Sequence, residues 1–489
     1  MEKASSLLGR LMLGLLALVL ALTVALAAYN GLESRSYLAA LALGALGAGL
    51  LLWLRRRGGR RMAASLCERL GAARLGAGLA VLCFALGLVW VLAVRIEPFS
   101  DYETYWDCAC ALAFGREIAS TEYIAMYPHI LGYSTVLSLF LRVFGEHVMV
   151  AAVLNAALTA VSAWLIFALC LRLTDLESAA FAGLLWCFFP AKLMLNSLVF
   201  SEPLYTCLIL LFLLLTAELE RRQEALSGRP LWGVPAGLGL GLLLRAVNIV
   251  RPIAAIVIIA FLIWLLLLRG GALKRARLWR LWLLIAVSML FAYKLSGGPW
   301  DRHVENVLGE EPATVPIYNI YVGFNPETQG QWSAEDMDLL FSYRRQEGGS
   351  ARAAQESMIP HLRERLASGI DYPALFAAKL RAFLGDDELG GYTYRFTRPE
   401  LFVKLCMALC NVYYYFVLAL ALVGIPRLRR CRLSAGLLPP LYALGLTLAH
   451  MLVEVSNRYH YSLIPVFVML AAFAFSRGTG EKNDLEKTT

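Results

Sequence analysis

Long apolar segments separated by short polar ones run along almost the whole chain. About twenty consecutive apolar residues are enough for a helix to cross a bilayer. The pattern therefore predicts an all-α polytopic membrane protein with about twelve transmembrane helices. The predicted spans are residues 11–28, 36–54, 75–94, 148–170, 179–195, 204–215, 231–244, 253–268, 282–295, 401–425, 437–453 and 463–475.

Arginine clusters predict the orientation of these spans. Five arginines lie within residues 55–61, and further basic clusters follow at residues 269–280 and 427–432. Cytoplasmic loops are enriched in arginine and lysine. An even number of crossings places every basic cluster, together with both termini, in the cytoplasm. Residues 131–144 form an apolar run of only about fourteen residues, which is short for a span. We therefore predict an interfacial helix there, since a further crossing would move the later clusters outside.

A polar segment of about a hundred residues separates two groups of spans, and a segment of that length is functional or disordered. Apolar positions recur at helical spacing in residues 335–345 and 351–366. The segment is also too aromatic for a disordered linker, so we predict an ordered outer loop. The predicted regions are two accessory spans with a basic loop (1–74), a membrane core with a catalytic first outer loop at 96–146 (75–296), the long outer loop (297–400), and the last spans with a short tail (401–489).

Composition excludes several classes of protein. Hydrophobic residues make up 59% of the chain and charged residues 17%, which excludes a soluble domain. The net charge of +9 comes largely from loops between spans, so it does not predict a nucleic-acid partner. The ten cysteines are scattered without a disulfide or zinc pattern, and we interpret them as small apolar side chains.

Several polar residues from distant parts of the chain share the predicted outer face. Ionisable residues at the ends of spans are costly and indicate a functional site. The set is Asp101, Glu103, His129, Glu202, Arg251, Glu454, Arg458 and His460, with Tyr105 and Tyr459 beside it. Each has a simpler structural interpretation. The acidic residues could complement helix N-termini, with Ser100 as a cap. The arginines could extend to lipid headgroups, and His129 could pack beside a proline turn.

Two acidic pairs in the long loop resemble metal ligands only superficially. Asp386 and Asp387 are adjacent, and Asp336 and Asp338 form an Asp-x-Asp pattern. In a solvated loop such pairs are usually surface residues. We therefore predict no cofactor, because no clear ligand set for a divalent metal is present.

The polar set suits one kind of chemistry. A carboxylate can accept the proton of an acceptor hydroxyl or amine as a general base. Arginines can hold a departing phosphate through paired hydrogen bonds. The lipid tail of a donor would lie among the spans.

Several short motifs together resemble those of bacterial GT-C glycosyltransferases, relatives of the aminoarabinose transferase and the protein O-mannosyltransferases. The resemblance covers roughly residues 75–475 and leaves out the first two spans. The motifs are Ser-Asp-Tyr-Glu-Thr-Tyr from Ser100, Tyr-Pro-His-Ile-Leu-Gly-Tyr from Tyr127, Phe189-Pro190 before Ser201-Glu202, Val250-Arg-Pro252, Val322-Gly-Phe-Asn before Gly330-Gln-Trp and Glu335-Asp336, and Arg458-Tyr459 before Pro465.

The resemblance implies a polyprenyl-phosphate sugar donor and an inverting transfer on the extracytoplasmic face of a bacterial membrane. The family's catalytic aspartate maps onto Asp101. The cationic residues with which the family binds the donor phosphate map onto Arg251 and Arg458. Beyond the resemblance, we predict that Glu103, Tyr105, His129, Glu202 and Tyr459 bind the substrate; relatives often have adjacent acidic residues where this chain has Asp-Tyr-Glu. The expected partners are the lipid-linked donor, membrane lipid and an acceptor that is a lipid, a wall polymer or a protein.

Two other functions fit the same chain. A lipid-linked sugar flippase or transporter would explain the spans, but many transporters contain internal repeats and none is visible here. A polymer ligase with a lipid-diphosphate donor would also have a large outer loop.

Overall fold

The computed structural model describes residues 2–33, 35–56, 60–269, 275–346, 349–431 and 433–476. These residues form helices and connecting turns, with no β-strand among them. Some predicted cytoplasmic residues lie outside the described residues, namely Arg57, Lys274, Arg432 and the tail from residue 477.

The first part of the chain supplies most of the long helices. Their bounds are α1 (Glu2–Glu33), α2 (Arg35–Leu54), α3 (Arg60–Ala93), α4 (Asp101–Phe114), α5 (Thr121–Met126), α6 (His129–Phe144), α7 (Val148–Leu173), α8 (Leu176–Cys187), α9 (Pro190–Leu195), α10 (Glu202–Ser227), α11 (Gly233–Val250), α12 (Ala254–Ile263) and α13 (Ala276–Leu295).

The second part begins with a group of short helices. The bounds are α14 (Gly297–Leu308), α15 (Ile317–Gly323), α16 (Ala334–Arg344), α17 (Ala351–Ser357), α18 (Ile359–Ala367), α19 (Tyr372–Leu384), α20 (Leu389–Tyr392), α21 (Glu400–Gly424), α22 (Leu438–Leu452) and α23 (Ile464–Phe473). A 3₁₀ segment, Asn457–Leu463, leads directly into α23.

The fold is that of a polytopic membrane protein. Within the described ranges, nine helical segments are long and apolar enough to cross a bilayer. They are Ser6–Tyr29, Arg35–Leu54, Cys67–Ala93, Val148–Leu173, Glu202–Ser227, Pro230–Val250, Ala276–Leu308, Glu400–Leu428 and Ser434–Leu452. Every backbone polar group inside a bilayer needs an internal partner, which a helix provides.

The other predicted spans form shorter helices. The span expected at 179–195 is divided between α8 and α9, because Pro190 disfavours helix in the residue before it. The span at 253–268 becomes α12 followed by a π-helical turn, Trp264–Leu268. The last becomes α23, which is ten residues long. The count of about twelve crossings stays a prediction.

Helix α23 lies at the centre of the bundle. All ten of its residues are buried, as expected for a helix that is apolar on every side. It packs against α21 and α8, and α2 also packs against α21. The accessory helices α1 and α2 are therefore part of the same packed bundle.

The long polar segment is built from short capped helices. Ser333, Ser350 and Asp371 each accept a hydrogen bond from the backbone N–H three residues later. The helix predicted at 335–345 is confirmed by α16. The one predicted at 351–366 is divided into α17 and α18, with Pro360 in the first turn of α18.

The first polar segment folds into α4, α5 and α6. Helix α6 packs against both α4 and α11. Among the described helices it is one of the apolar ones too short to count as a candidate span. Leu139, Val143 and Phe144 are exposed on its surface, as suits contact with lipid.

Candidate functional site

Asp101, Glu202 and Arg458 meet in one charged cluster. An Arg458 Nη donates to Asp101 Oδ2 at 3.1 Å. The Nε atom of Arg458 lies 3.4 Å from Glu202 Oε1, within ion-pair distance but without hydrogen-bond alignment. Glu202 is 1% exposed, whereas the Asp101 side chain is 41% exposed. One arginine thus joins a buried carboxylate to one that an incoming substrate can reach.

Asp101 is the first residue of α4, directly after an unusual backbone conformation. Ser100 has a φ of 54°, a left-handed value that non-glycine residues adopt rarely. Its side chain makes no capping hydrogen bond, so the interpretation of Ser100 as a side-chain cap is wrong. Tyr123 Oη donates to Asp101 Oδ1 at 3.3 Å, and burial raises the pKa of Tyr123 so that the phenol stays a donor. Backbone strain of this kind persists where surrounding contacts enforce it, often at functional sites.

Arg251 has a different environment from Arg458. Its guanidinium carbon lies 4.8 Å from the centroid of the Tyr459 ring, and that of Arg458 lies 5.5 Å from the same centroid. The two arginines therefore share one aromatic wall. Within the described part of the chain, the Arg251 side chain makes no ion pair or hydrogen bond. Glu202 is its main charged neighbour, and its N–H groups remain available to an anion.

Tyr459 is held in place by a neighbouring carboxylate. Tyr459 Oη donates to Glu454 Oε1 at 3.1 Å, and Asn319 Nδ2 donates to Glu454 Oε2 at 3.2 Å. Burial raises the pKa of Glu454, while its hydrogen bond from Tyr459 acts in the opposite sense. Asn319 lies on α15, so the long polar segment contributes to the site. His450 also stacks on the Tyr459 ring, with centroids 5.2 Å apart.

His129 and Tyr105 lie within the electrostatic reach of the two arginines. Burial lowers the pKa of His129 well below its ordinary value, and Arg251 and Arg458 lower it further. A neutral imidazole offers one donor and one acceptor to a substrate. Tyr105 is buried against Tyr133, with ring centroids 5.4 Å apart. Burial also raises the pKa of Tyr105.

Glu103 lies apart from this cluster. It is exposed on α4. Burial of Asp107 raises the pKa of Asp107, and the negative charge of Glu103 raises it further. The structure thus brings together Asp101, His129, Tyr105, Glu202, Arg251, Arg458 and Tyr459, and leaves Glu103 outside.

The acidic pair at 386–387 is not a surface pair, and that expectation is wrong. Asp387 is 1% exposed, and its Oδ1 atom lies 3.2 Å from Lys192 Nζ and 3.1 Å from His460 Nε2. Asn457 Nδ2 donates to Asp386 Oδ1 at 2.8 Å. Sequence reasoning missed Lys192, Asn457 and Tyr123. A lysine within a predicted span was a signal for the first of these.

The Asp-x-Asp pattern is also explained by pairing inside the protein. Asp336 is buried, so the expectation of a surface residue is wrong there too, whereas Asp338 is exposed. Arg365 donates to Asp336 Oδ1 at 2.9 Å and to Oδ2 at 3.0 Å. Among the residues the structure describes, no group of three or more histidine, cysteine or acidic side chains could hold a metal ion.

A separate cleft of about 340 Å³ opens beside α4. Its walls include apolar residues at the ends of α3 and α7, and its polar lining includes Arg95, Glu97, Glu146 and His147. The residues of the charged cluster do not line it.

No protein-family model matches the chain, and no curated protein matches it either. The geometry and chemistry of the site therefore carry the functional argument.

Proposed function

We propose that the protein is a membrane-embedded glycosyltransferase that moves a sugar from a polyprenyl-phosphate donor to an acceptor on the extracytoplasmic face. The observation that carries the proposal is the pairing of a reachable carboxylate, Asp101, with a second arginine, Arg251, whose N–H groups have no ion-pair or hydrogen-bond partner among the described residues. A glycosyl transfer from a lipid phosphate needs one group of each kind.

The proposed reaction is a direct displacement. The acceptor oxygen or nitrogen attacks the anomeric carbon as the bond from that carbon to the phosphate oxygen breaks, which inverts the configuration. The acceptor proton passes to the Asp101 carboxylate. The bonding electrons leave with the lipid phosphate, whose growing negative charge is stabilised by Arg251 and, at longer range, by Arg458.

The other residues position these groups. Arg458 orients Asp101 and is itself held by buried Glu202. Tyr459 provides the surface against which both arginines lie. His129, which interacts electrostatically with both arginines, would offer polar contacts to the sugar, and buried Tyr105 would support the site from behind. Glu103, being exposed, would meet only an acceptor that approaches from outside the cluster.

The arginine distribution supports about twelve crossings with both termini cytoplasmic, and the resemblance to bacterial glycosyltransferases favours a bacterial inner or plasma membrane. The proposed reaction requires no metal, since it relies on a carboxylate base and arginine charge alone. The acceptor class is a membrane lipid, a wall polymer or a protein.

The proposal is tested with Asp101→Asn in purified protein. Sugar release from a panel of radiolabelled polyprenyl-phosphate sugars would be measured for the wild type and the variant. We expect turnover to fall by roughly a hundredfold or more, as is usual when a general base is removed. Glu122→Gln, an exposed change on neighbouring α5, is the control. Near-wild-type turnover by Asp101→Asn would overturn the assignment.

A wild type that moves the donor across a vesicle membrane intact would be a flippase, and one that accepts only lipid diphosphates would be a ligase.

A further inference from the structure

Three consecutive carboxylates between α19 and α20 each contact a different part of the protein. Asp386 accepts from Asn457, which lies in the 3₁₀ segment before α23. Asp387 contacts Lys192 of α9 and His460 of the same 3₁₀ segment. Glu388 Oε2 accepts from the Tyr37 hydroxyl of α2 at 2.8 Å. We call residues 386–388 the acidic turn.

Burial of the acidic turn costs free energy. Taking a carboxylate out of water is unfavourable unless it gains a partner with good geometry. Here Lys192 and His460 are each only 1% exposed and both face the same oxygen of Asp387. His460 is held on its other side as well, with Nδ1 at 2.5 Å from the Phe383 carbonyl oxygen. Asp387 Oδ2 has no hydrogen-bond partner among the described residues, so these contacts run through Asp387 Oδ1 and the two ring nitrogens of His460. Buried hydrogen bonds of this kind constrain local geometry.

The acidic turn contacts the residues on both sides of Arg458. Asn457 immediately precedes this arginine, and its side-chain amide reaches both the Asp386 carboxylate and the Asp386 carbonyl, each at 2.8 Å. His460 follows two residues later and contacts Asp387. The backbone that carries Arg458 is therefore anchored at two points to one rigid turn.

We propose that the acidic turn is a positioning device that fixes Arg458 against Asp101 and links the accessory helix α2 to that arginine. The inference rests on the proposed function, because it assigns Asp386, Asp387, Glu388, Asn457 and His460 as positioning residues for it. A displacement of about 1 Å at a catalytic group can cost a hundredfold in rate. Two anchors beside Arg458 oppose such a displacement.

The accessory helices gain a role from the same contact. Tyr37 lies near the start of α2, and α2 packs along α21, which also supplies Asn411 to the turn. Asn411 Oδ1 accepts from the backbone N–H of Asp387 at 3.0 Å. The first two helices thus support the proposed site through the acidic turn, although they contribute no residue to the charged cluster.

The test combines two measurements on the full chain in lipid nanodiscs. Amide hydrogen exchange reports how firmly residues 457–463 are held. The dissociation constant of farnesyl phosphate, the probe for a prenyl phosphate, reports the arginine pocket. The variants are Asn457→Ala, Arg458→Ala and the double variant. Glu220→Gln is the matched control, since Glu220 is also buried and bonded to two backbone N–H groups, of Ser434 and Ala435.

Asn457→Ala should speed exchange in residues 457–463 at least threefold and weaken farnesyl phosphate binding several-fold. Arg458→Ala should weaken binding by a larger factor than Asn457→Ala, because it removes the whole charge, which acts on the phosphate at longer range than that of Arg251. The double variant should bind no more weakly than Arg458→Ala, because Asn457 acts only through this arginine. Glu220→Gln should match the wild type in both measurements.

The possible failures are distinguishable. If Asn457→Ala matches the wild type in exchange and binding, or if its binding loss adds fully to that of Arg458→Ala, the positioning role is overturned. If the wild type and Arg251→Ala bind farnesyl phosphate equally poorly, the proposed function fails, and the exchange result alone decides the positioning role.

Should Asn457→Ala fold poorly, Tyr37→Phe replaces it, because that change removes only the hydroxyl that reaches Glu388. It should show a smaller change in the same direction, and no change in either measurement would overturn the device.

Discussion

Arg458 and Arg251 differ in how their charges are used. Arg458 lies between two carboxylates, whereas Arg251 lies against the Tyr459 ring, makes no ion pair among the described residues and has Glu202 as its main charged neighbour. The sequence placed both in the same role. Their surroundings divide that role, with Arg458 orienting the proposed base and Arg251 free to take the phosphate.

Replacing Arg251 tests this division. Arg251→Lys keeps the charge but loses the planar group that stacks on Tyr459 and bonds phosphate through two N–H groups. We expect farnesyl phosphate to bind about tenfold more weakly to Arg251→Lys, and more weakly still to Arg251→Ala. Isothermal titration in nanodiscs would measure both. Arg116→Lys, an exposed arginine paired with Glu146, is the control and should bind like the wild type. Full affinity in Arg251→Ala would remove this residue from the phosphate site.

Asp386 predicts a pH dependence of stability. Burial raises the pKa of Asp386 above its ordinary value of 3.8, and neighbouring Glu388 raises it further. Above pH 3.8 the folded protein therefore holds a proton here that the unfolded chain has released, so raising the pH destabilises the fold. We expect a higher Tm at pH 5 than at pH 7.5 in buffered detergent.

Asp386→Asn isolates this contribution. The asparagine mimics the protonated acid and retains a carbonyl oxygen for the Asn457 amide. The difference in Tm between pH 5 and pH 7.5 should therefore shrink in Asp386→Asn. Asp338→Asn, an exposed aspartate on α16, should leave the difference unchanged. An unaltered difference in Asp386→Asn would show that this carboxyl group does not titrate between folded and unfolded states.

At the scale of helices, the site depends on close contact between α6 and α11. A Cβ atom added at Gly132 would lie 2.1 Å from the carbonyl oxygen of Ile249, two residues before Arg251. Small residues permit such close packing of membrane helices. The helix that begins at His129 is therefore set directly against the end of the helix that carries Arg251 to the site.

Gly132→Ala tests this contact. The clash should separate the two helices and destabilise the protein by about 1–3 kcal/mol, as overpacking commonly does. We also expect weaker farnesyl phosphate binding, because Arg251 would be displaced. Gly239→Ala on α11 is the control, since an added Cβ there meets nothing within 4 Å. Equal Tm and binding in Gly132→Ala and Gly239→Ala would contradict the expected coupling.

At the scale of the whole molecule, the proposed function requires the charged cluster to face outward. Glu103 and Arg56 are both exposed, and they lie at the two ends of the region spanned by α3. In intact cells, a membrane-impermeant maleimide should label Glu103→Cys and leave Arg56→Cys unlabelled until the cells are opened. The cysteines of the wild type lie largely in the interior, and the wild-type chain gives the background. The reverse pattern would place the cluster in the cytoplasm and exclude the proposed donor.

Much of the architecture followed from the sequence alone. Helices, candidate spans and the helical character of residues 297–400 are local consequences of apolar spacing and of capping residues such as Ser333. Asp101, Glu202 and Arg458 could also be selected, because charged residues at the ends of apolar segments are rare and costly.

Only the tertiary structure decided which of these residues meet. Asp101 and Arg458 are 357 positions apart, and their contact depends on the packing of several helices rather than on any local pattern. For the same reason the pair at 386–387 resembled a surface pair, since its partners Lys192 and His460 come from distant segments. Apolar periodicity acts over a few turns of helix, whereas the pairing of buried charges depends on which helix ends are brought together. The chain alone therefore indicated the main charged residues of the candidate site, and the fold determined which arginine contacts Asp101 and which makes no ion pair among the described residues.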